Sequence, residues 1–161
     1  MNFQPVLIGL AFCGALQAQG MVLRPRGGGE LRIANQRYRF QLTDLSTAPP
    51  KGGLPGAIRL EGNLQPQDGS GPFHLVLTVL AGGSLYMLQI QRKRPGGYPD
   101  NWAATLKTHT HALKWVDRPG GRIEIQCEGS LTGIIAKQPK EAEWSGTLWG
   151  IFPGGGEELS F

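Results

Sequence analysis

Two apolar runs separated by a glycine pair are the feature of this sequence that most constrains its fold. Phe73–Leu80 and Leu85–Ile90 are rich in β-branched and long apolar residues, and Gly82–Gly83 lies between them. Two adjacent glycines can take positive φ at both central positions of a tight hairpin turn. The pattern therefore predicts an antiparallel hairpin with a two-residue loop, in which Leu80 faces Leu85.

The predicted register gives this hairpin one wholly apolar face, because residues directly opposite each other share a face of the sheet. That face consists of Phe73, Leu75, Leu77, Val79, Tyr86, Leu88 and Ile90. The other face consists of His74, Val76, Thr78, Leu80, Leu85, Met87, Gln89 and Gln91. Burial contributes about 1.5–3 kcal/mol for each large apolar side chain, so we expect the first face to be the centre of the core.

Glycine and proline recur along the chain and divide it into short segments of alternating apolar and polar residues. There are 25 glycines and 12 prolines among 161 residues, a length that suits one domain. The pattern predicts an all-β fold over residues 31–161, a single antiparallel β-barrel or β-sandwich of about eight strands. Three of these strands are expected over 57–64, 122–135 and 144–152. In strand number and size the predicted domain resembles lipocalin-like barrels and β-sandwiches.

Residues 1–20 have the pattern of a secretory signal peptide. Their apolar run, Val6–Leu16, is too short to span a bilayer, and small residues follow at Ala18 and Gly20. We therefore expect this leader to be removed, residues 21–30 to form a linker, and the domain to be secreted or periplasmic.

Two other interpretations of the leader remain open. Cys13 could be a lipidated cysteine, although a bulky phenylalanine precedes it. Translation could instead begin at Met21, which would make the apparent leader spurious.

Cys127 is the one cysteine left if the leader is removed, so no intramolecular disulfide could then form. It alternates with Ile123 and Ile125, which predicts a thiol on the apolar side of a strand. Free cysteine is among the most buried residue types, and no base lies nearby in the sequence. We therefore expect a buried side chain and not a nucleophile.

Basic and aromatic residues are the candidates for ligand binding. The net charge is +4, and Arg92 and Arg94 belong to the densest basic cluster, which predicts contact with an anionic polymer or membrane surface. Trp102 and Trp149 are predicted to stack on a sugar or to cover an apolar ligand. The competing interpretations are a solvated strand end for the arginines and core packing for the indoles. No nucleic-acid-binding motif is present, so no nucleic-acid partner is predicted.

One pair of residues has the spacing of metal ligands. His109 and His111 are two residues apart and would share a face of a strand. A third ligand could be His74, Glu61 or Asp100, whose positions the sequence does not determine. The competing interpretation is two exposed histidines, because two ligands are too few for a specific zinc site. No cofactor is predicted.

The sequence contains no Gly-x-Ser-x-Gly elbow, phosphate loop or dinucleotide-binding fingerprint. Our leading hypothesis is a non-enzymatic exported β domain that binds a ligand or a cell-envelope component. An envelope or secreted enzyme with a site assembled from distant residues is the first alternative. A small outer-membrane β-barrel is the second, favoured by the alternating strands and the terminal Phe161. The identity of the ligand and the oligomeric state are left open.

Overall fold

The backbone forms strands and turns throughout the part of the chain that the structure describes. This structure, a computed structural model, describes residues 25–53, 55–81, 83–92, 96–105, 111–118 and 121–152, with the backbone alone for 111–118. Within these ranges there is no helix, and hence none of a length and hydropathy that would cross a membrane. The strands are β1 Arg26–Ile33, β2 Gln36–Ala48, β3 Ala57–Pro66, β4 Phe73–Leu80, β5 Leu85–Arg92, β6 Asp100–Thr105, β7 His111–Arg118, β8 Arg122–Ile135 and β9 Gln138–Ile151.

Every strand pairing is antiparallel, and the sheet closes on itself. Neighbours in chain order pair from β1 to β6, β9 lies between β1 and β8, and β6 pairs with the second half of β8. β7 pairs with the first half of β8 along the same edge. β6 and β7 therefore share one position, and the nine segments form a β-barrel of eight positions. Of the two predicted architectures, the barrel is confirmed.

The central hairpin has the predicted register along most of its length. Leu75 pairs with Ile90 and Leu77 pairs with Leu88, as expected. Gly82, one of the two predicted loop residues, lies outside the described residues. The members of the predicted apolar face that are buried are Phe73, Leu75, Leu77, Val79, Leu88 and Ile90.

At the turn of this hairpin the predicted two-residue loop is wrong, and so is the inward position of Tyr86. The register shifts by one residue, so that Val79 faces Leu85. The Leu80 nitrogen donates to the Ser84 carbonyl oxygen at 2.9 Å, which closes a wider turn. Leu85 and Leu80 are consequently buried, whereas Tyr86 is 44% exposed. The leucines gain more from burial, and the tyrosine hydroxyl stays in water.

β1 begins at Arg26, inside the stretch 21–30 that the sequence predicts as a linker. Residues 26–30 are strand because they pair with the last residues of β9. Glycine permits the close approach that this pairing needs, since a Cβ on Gly27 would come within 2.7 Å of the Leu42 side chain. An alternating pattern cannot reveal a strand whose successive residues have no side chains. The predicted signal peptide, residues 1–20, lies outside the described residues.

The last hairpin is longer than predicted. The strand expected over 122–135 has the bounds of β8, whereas β9 begins at Gln138 and not at Trp144. Ala136 and Lys137 have positive φ values of 52° and 65°, which makes a tight two-residue turn between the strands. The residues at the start of β9 are mostly polar, so an alternating apolar pattern does not mark this end of the strand.

The barrel interior is packed with apolar side chains. Those with 0% of their surface exposed are Ile58, Leu60, Leu64, Leu75, Leu77, Val79, Leu88, Ile90, Ile123, Ile125, Leu131 and Leu148. Because none of their surface is accessible to water, there is no space for a ligand beside these side chains. Charged and polar residues alternate with them along the strands and point outward.

The closing contact between β6 and β8 is short, and side chains of β6 reinforce it. Three residue pairs join the two strands. The Asn101 side-chain oxygen accepts a hydrogen bond from the Ile134 nitrogen at 2.9 Å, and Asp100 Oδ1 accepts one from the Ala136 nitrogen at 2.8 Å. Asp100 is only 1% exposed. Two adjacent side chains of β6 therefore hold the β8–β9 hairpin against the barrel.

Candidate ligand-binding surface

Arg92, a predicted ligand-binding residue, makes its contacts at one end of the barrel. Its guanidinium nitrogen lies 3.0 Å from a carboxylate oxygen of Asp100, and its Cζ lies 4.5 Å from the centre of the Phe73 ring. Both partners are buried. These contacts give Arg92 a structural role, and anion binding by this residue stays a prediction. Arg94 lies outside the described residues.

The two tryptophans predicted to bind a ligand lie on opposite sides of the wall. Trp102 points inward and packs on β8, where a Cβ on Gly133 would lie 2.7 Å from the indole ring. Trp149 points outward, is partly exposed, and has the Arg122 guanidinium 4.6 Å from its ring centre. Trp144 on the same strand is buried, so Trp144 and Trp149 lie on opposite faces of the sheet. Only Trp149 of these three could meet a ligand at the outer surface.

Two of the proposed third metal ligands, His74 and Glu61, contact each other on the outer wall. His74 Nε2 lies 2.9 Å from Glu61 Oε1, and Arg59 lies 2.7 Å from the other carboxylate oxygen. Asp100 lies in the interior at the end of the barrel, so it is not part of this group. The Glu61 carboxylate is thus shared between a histidine and an arginine.

The predicted metal pair itself is mostly outside the described structure. His109 is not described, and for His111 the structure gives only the backbone pairing with Gly129. Among the side chains that are described, no three histidine, cysteine, aspartate or glutamate residues come together to hold a metal ion. Metal binding at His109 and His111 therefore stays a prediction.

Tyr38 and Asp68 are linked through Gln36 at the end of the barrel that contains Arg92. The Tyr38 hydroxyl donates to Gln36 Oε1 at 2.8 Å, and Gln36 Nε2 donates to Asp68 Oδ2 at 2.7 Å. Burial, and then the Asp68 charge, raises the pKa of Tyr38. Hydrogen bonds from Ser70 lower the pKa of Asp68. Both shifts hold the groups in the states they already have at neutral pH, so neither is tuned for proton transfer there.

Cys127 is buried inside the barrel, as the sequence predicts. Burial raises the pKa of its thiol to about 12, so it is protonated at neutral pH. Its sulfur lies 3.8 Å from the Ile125 carbonyl oxygen. A protonated and inaccessible thiol cannot act as a nucleophile.

Three exposed arginines, which we call the arginine cluster, lie together on the outer wall of β1 and β2: Arg32, Arg37 and Arg39. Arg32 on β1 pairs directly with Arg37 on β2, and Arg39 follows Arg37 on the same face. Arg39 faces Glu30. Among the described residues, no carboxylate lies within ion-pair distance of any member of the cluster.

Three other described arginines have carboxylate partners, whereas Arg26 on β1, which is also exposed, has none within ion-pair distance among the described residues. Arg59 binds Glu61 at 2.7 Å, Arg92 binds Asp100 at 3.0 Å, and Arg122 lies 3.8 Å from Glu124. Two like charges placed directly opposite on neighbouring strands destabilise a sheet unless an anion lies between them. The arginine cluster is therefore distinguished by Arg32 and Arg37, which lie directly opposite each other without a carboxylate partner among the described residues.

A shallow groove of about 210 Å³ runs beside the arginine cluster on the β2 and β3 side. The residues that line it are Glu30, Arg37, Tyr38, Arg39, Gln65, Pro66 and Gln67. Arginine and glutamine side chains supply hydrogen-bond donors there, and Glu30 supplies the one negative charge among these lining residues. The groove can thus receive a small polar group that accepts hydrogen bonds.

The arginine cluster has a signal in the sequence, although its members form no dense basic run. Arg32, Arg37 and Arg39 alternate with apolar residues on either side of a short turn. Folding that turn brings them to one face, although they are never adjacent in the chain. The densest run of basic residues in the sequence is instead the one that contains Arg92 and Arg94.

Comparison with known proteins gives no family assignment: no protein-family model, curated protein or solved structure matches this chain. The functional argument therefore depends on the barrel and on its side chains.

Proposed function

We propose that this protein is a non-enzymatic binding domain of the cell envelope or exterior that acts through the outer wall of its barrel. The observation that carries the proposal is the packed interior, in which twelve large side chains have no exposed surface. Around these twelve side chains, the described part of the barrel has no room to enclose a ligand. Its polar and charged groups lie outside, so the partner is expected to bind there.

The direction of the side chains also distinguishes this proposal from the outer-membrane alternative. An outer-membrane barrel has an apolar band outside and a polar interior. Here the described interior is apolar, and arginine and glutamate side chains such as Arg39, Arg59 and Glu128 point outward. This arrangement supports a barrel that is surrounded by water.

Export is the second component of the proposal, and the pattern of residues 1–20 supports it. Expression of the full chain in its native cell, followed by mass measurement of the mature protein, tests this component. We expect a polypeptide that begins near Met21 and is recovered outside the cytoplasm. A full-length protein recovered from the cytoplasm would contradict export.

Binding through the wall is tested by comparing two kinds of partner. The purified protein is incubated with isolated cell envelopes at low and high salt, and separately with an uncharged apolar fluorophore such as Nile red. We expect sedimentation with the envelopes that salt reverses, because exposed charges are screened, and no fluorophore binding by the native protein. Stoichiometric fluorophore binding without envelope binding would contradict the proposal.

A further inference from the structure

We propose that the arginine cluster binds the phosphate groups of anionic lipid headgroups. This deepens the proposed function, and it rests on that function for the assumption that the protein meets an envelope surface. The site would be formed by Arg32, Arg37 and Arg39, with the Gln65 and Gln67 amides beside them.

The first step is the close opposition of Arg32 and Arg37. Residues directly opposite on antiparallel strands have their Cβ atoms about 5 Å apart, so two guanidinium groups can meet one anion between them. Both side chains are exposed, and neither has a described carboxylate in ion-pair distance. The pair is therefore stabilised by an external anion that approaches from solvent.

The second step is that nearby carboxylates do not occupy this position. Glu143 lies on β9 near Arg32 in the sheet, but its carboxylate accepts a hydrogen bond from the Ser130 hydroxyl at 3.0 Å. Glu30 faces Arg39 and balances that member of the cluster in part. The excess positive charge is consequently centred between Arg32 and Arg37.

The third step concerns the chemistry of the anion. The planar guanidinium group presents a fork of donors that matches the oxygens of a phosphate, and Arg pairs with phosphate in a bidentate manner. Arg39 follows Arg37 at about 7 Å along the strand, which allows contact with a second headgroup. The Gln67 amide adds a neutral donor beside them, whereas the Gln65 amide nitrogen already donates to the Ser70 carbonyl oxygen at 3.0 Å.

The fourth step concerns the source of the phosphate. The groove of about 210 Å³ is smaller than a typical small-molecule pocket of roughly 300–1,000 Å³, and the three arginines stand on an open wall. Trp149 lies on the same wall, partly exposed, with its indole 3.9 Å from the position of a Cβ on Gly28. A partly exposed indole with a guanidinium beside it, here that of Arg122, suits the headgroup level of a membrane surface. These features favour a surface of headgroups over an enclosed soluble phosphate.

The test compares two vesicle compositions and two variants. Wild-type protein is sedimented with vesicles of phosphatidylcholine alone, and with vesicles of phosphatidylcholine and phosphatidylglycerol in equal parts. The triple variant Arg32→Gln, Arg37→Gln, Arg39→Gln removes the cluster. Arg59→Gln is the matched control, because it also removes a positive charge from the wall, but one that is already paired with Glu61. Unchanged thermal unfolding of the variants shows that they fold.

We expect wild type and the Arg59→Gln control to bind the mixed vesicles and not the neutral ones. The triple variant should bind about 100-fold more weakly, since each basic residue near an anionic surface contributes roughly fivefold. Equal binding by the triple variant would overturn the arginine site and leave the proposed function standing. A loss of about fivefold in the Arg59→Gln control, the amount expected for any one basic residue, would also overturn it, because binding would then follow net charge alone.

A second arm distinguishes the lipid from a soluble source. Inorganic phosphate is titrated into the wild-type protein without vesicles, with chloride at equal ionic strength as the comparison. We expect no saturable binding beyond that of chloride. Saturable phosphate binding that the triple variant loses, together with no vesicle binding, would overturn the lipid source. Failure to bind either vesicles or isolated envelopes would overturn this inference and the proposed function together.

Discussion

Gly62 shows at the scale of one residue how the barrel accommodates its large core side chains. It points inward from β3, and a Cβ there would overlap the Gln41 carbonyl oxygen of β2 and come within 2.6 Å of the Phe40 ring. The phenyl ring thus occupies the space that any other residue at 62 would need. The register of β2 and β3 also shifts near Gly62, between Leu42 and Asp44, as expected where a sheet bends sharply.

Substitution of Gly62 by alanine is predicted to destabilise the protein by about 1–3 kcal/mol, the usual cost of overpacking a core. The methyl group would displace the Phe40 ring or the β2 backbone, and neither can move freely. Urea unfolding of Gly62→Ala measures this cost. The matched control is Gly71→Ala, where a Cβ meets no atom within 4 Å, so its unfolding free energy should stay close to that of the wild type. Equal stability of the two variants would contradict this prediction, because it would show that the interior has room for an added methyl group at position 62.

Cys127 is predicted to make the protein less stable as pH rises above 9. Burial raises the pKa of the folded thiol from 9.0 to about 12, so between these values the unfolded state holds fewer protons than the folded state. The free energy of unfolding from this group therefore falls with pH across that window, by at most about 1.4 kcal/mol per pH unit. Urea unfolding of the wild type and Cys127→Ala at a series of alkaline pH values checks this. The wild type should lose stability more steeply, and parallel curves would contradict a buried thiol.

At the scale of the element, the closing strand β6 depends on one buried charge. Asp100 accepts hydrogen bonds from Arg92 on β5 and from the backbone of Ala136 in the β8–β9 turn. Its carboxylate therefore joins the three elements that meet where the barrel closes. The contrasting ion pair of Arg59 and Glu61 lies on the outer wall, more exposed to water.

We predict that Asp100→Ala costs about 1–3 kcal/mol of unfolding free energy, because the partly buried Arg92 guanidinium and the Ala136 nitrogen both lose an acceptor that is itself buried. Glu61→Gln is the comparison, and it should cost at most about 1 kcal/mol, as is usual for exposed ion pairs. Chemical denaturation measures both costs. If the two variants lost similar free energy, Asp100 would have no special role in closing the barrel.

Most strand positions could be predicted from the sequence, because apolar residues at every second position need one buried face. The pairing of Leu75 with Ile90 follows from that requirement alone. The turn after Leu80 could not be predicted, because Leu85 and Tyr86 are both apolar enough to be buried, and only the hydrogen bonds of the turn decide between them. The role of Asp100 could not be predicted from the sequence either, because Ala136, which donates to its carboxylate, lies in a distant part of the chain.

For the whole molecule, the sequence indicated a β-barrel or a β-sandwich. It did not indicate which of the two forms, or which residues close the sheet. Closure depends on the pairing of Asn101–Ala103 with the end of β8, a contact between segments that share no local pattern. The arginine cluster likewise requires β1 and β2 to be folded against each other. Both features follow from register, so they become visible only once the strands are aligned. Of the predicted ligand residues, Arg92 contacts Asp100 and Trp102 packs against Gly133, and ligand binding by either stays a prediction.

The first and last described strands are neighbours, since Arg26 of β1 pairs with Ile151 of β9. The order of strands around the barrel is consequently a cycle, and its starting point is arbitrary. A circular permutant that joins the ends near Arg26 and Ile151 with a flexible linker and opens the chain at the turn before Leu85 would keep all the strand pairs described above. The new ends would then lie in the loop between β4 and β5, and a folded permutant would show that strand pairing, and not the position of the chain ends, specifies the fold.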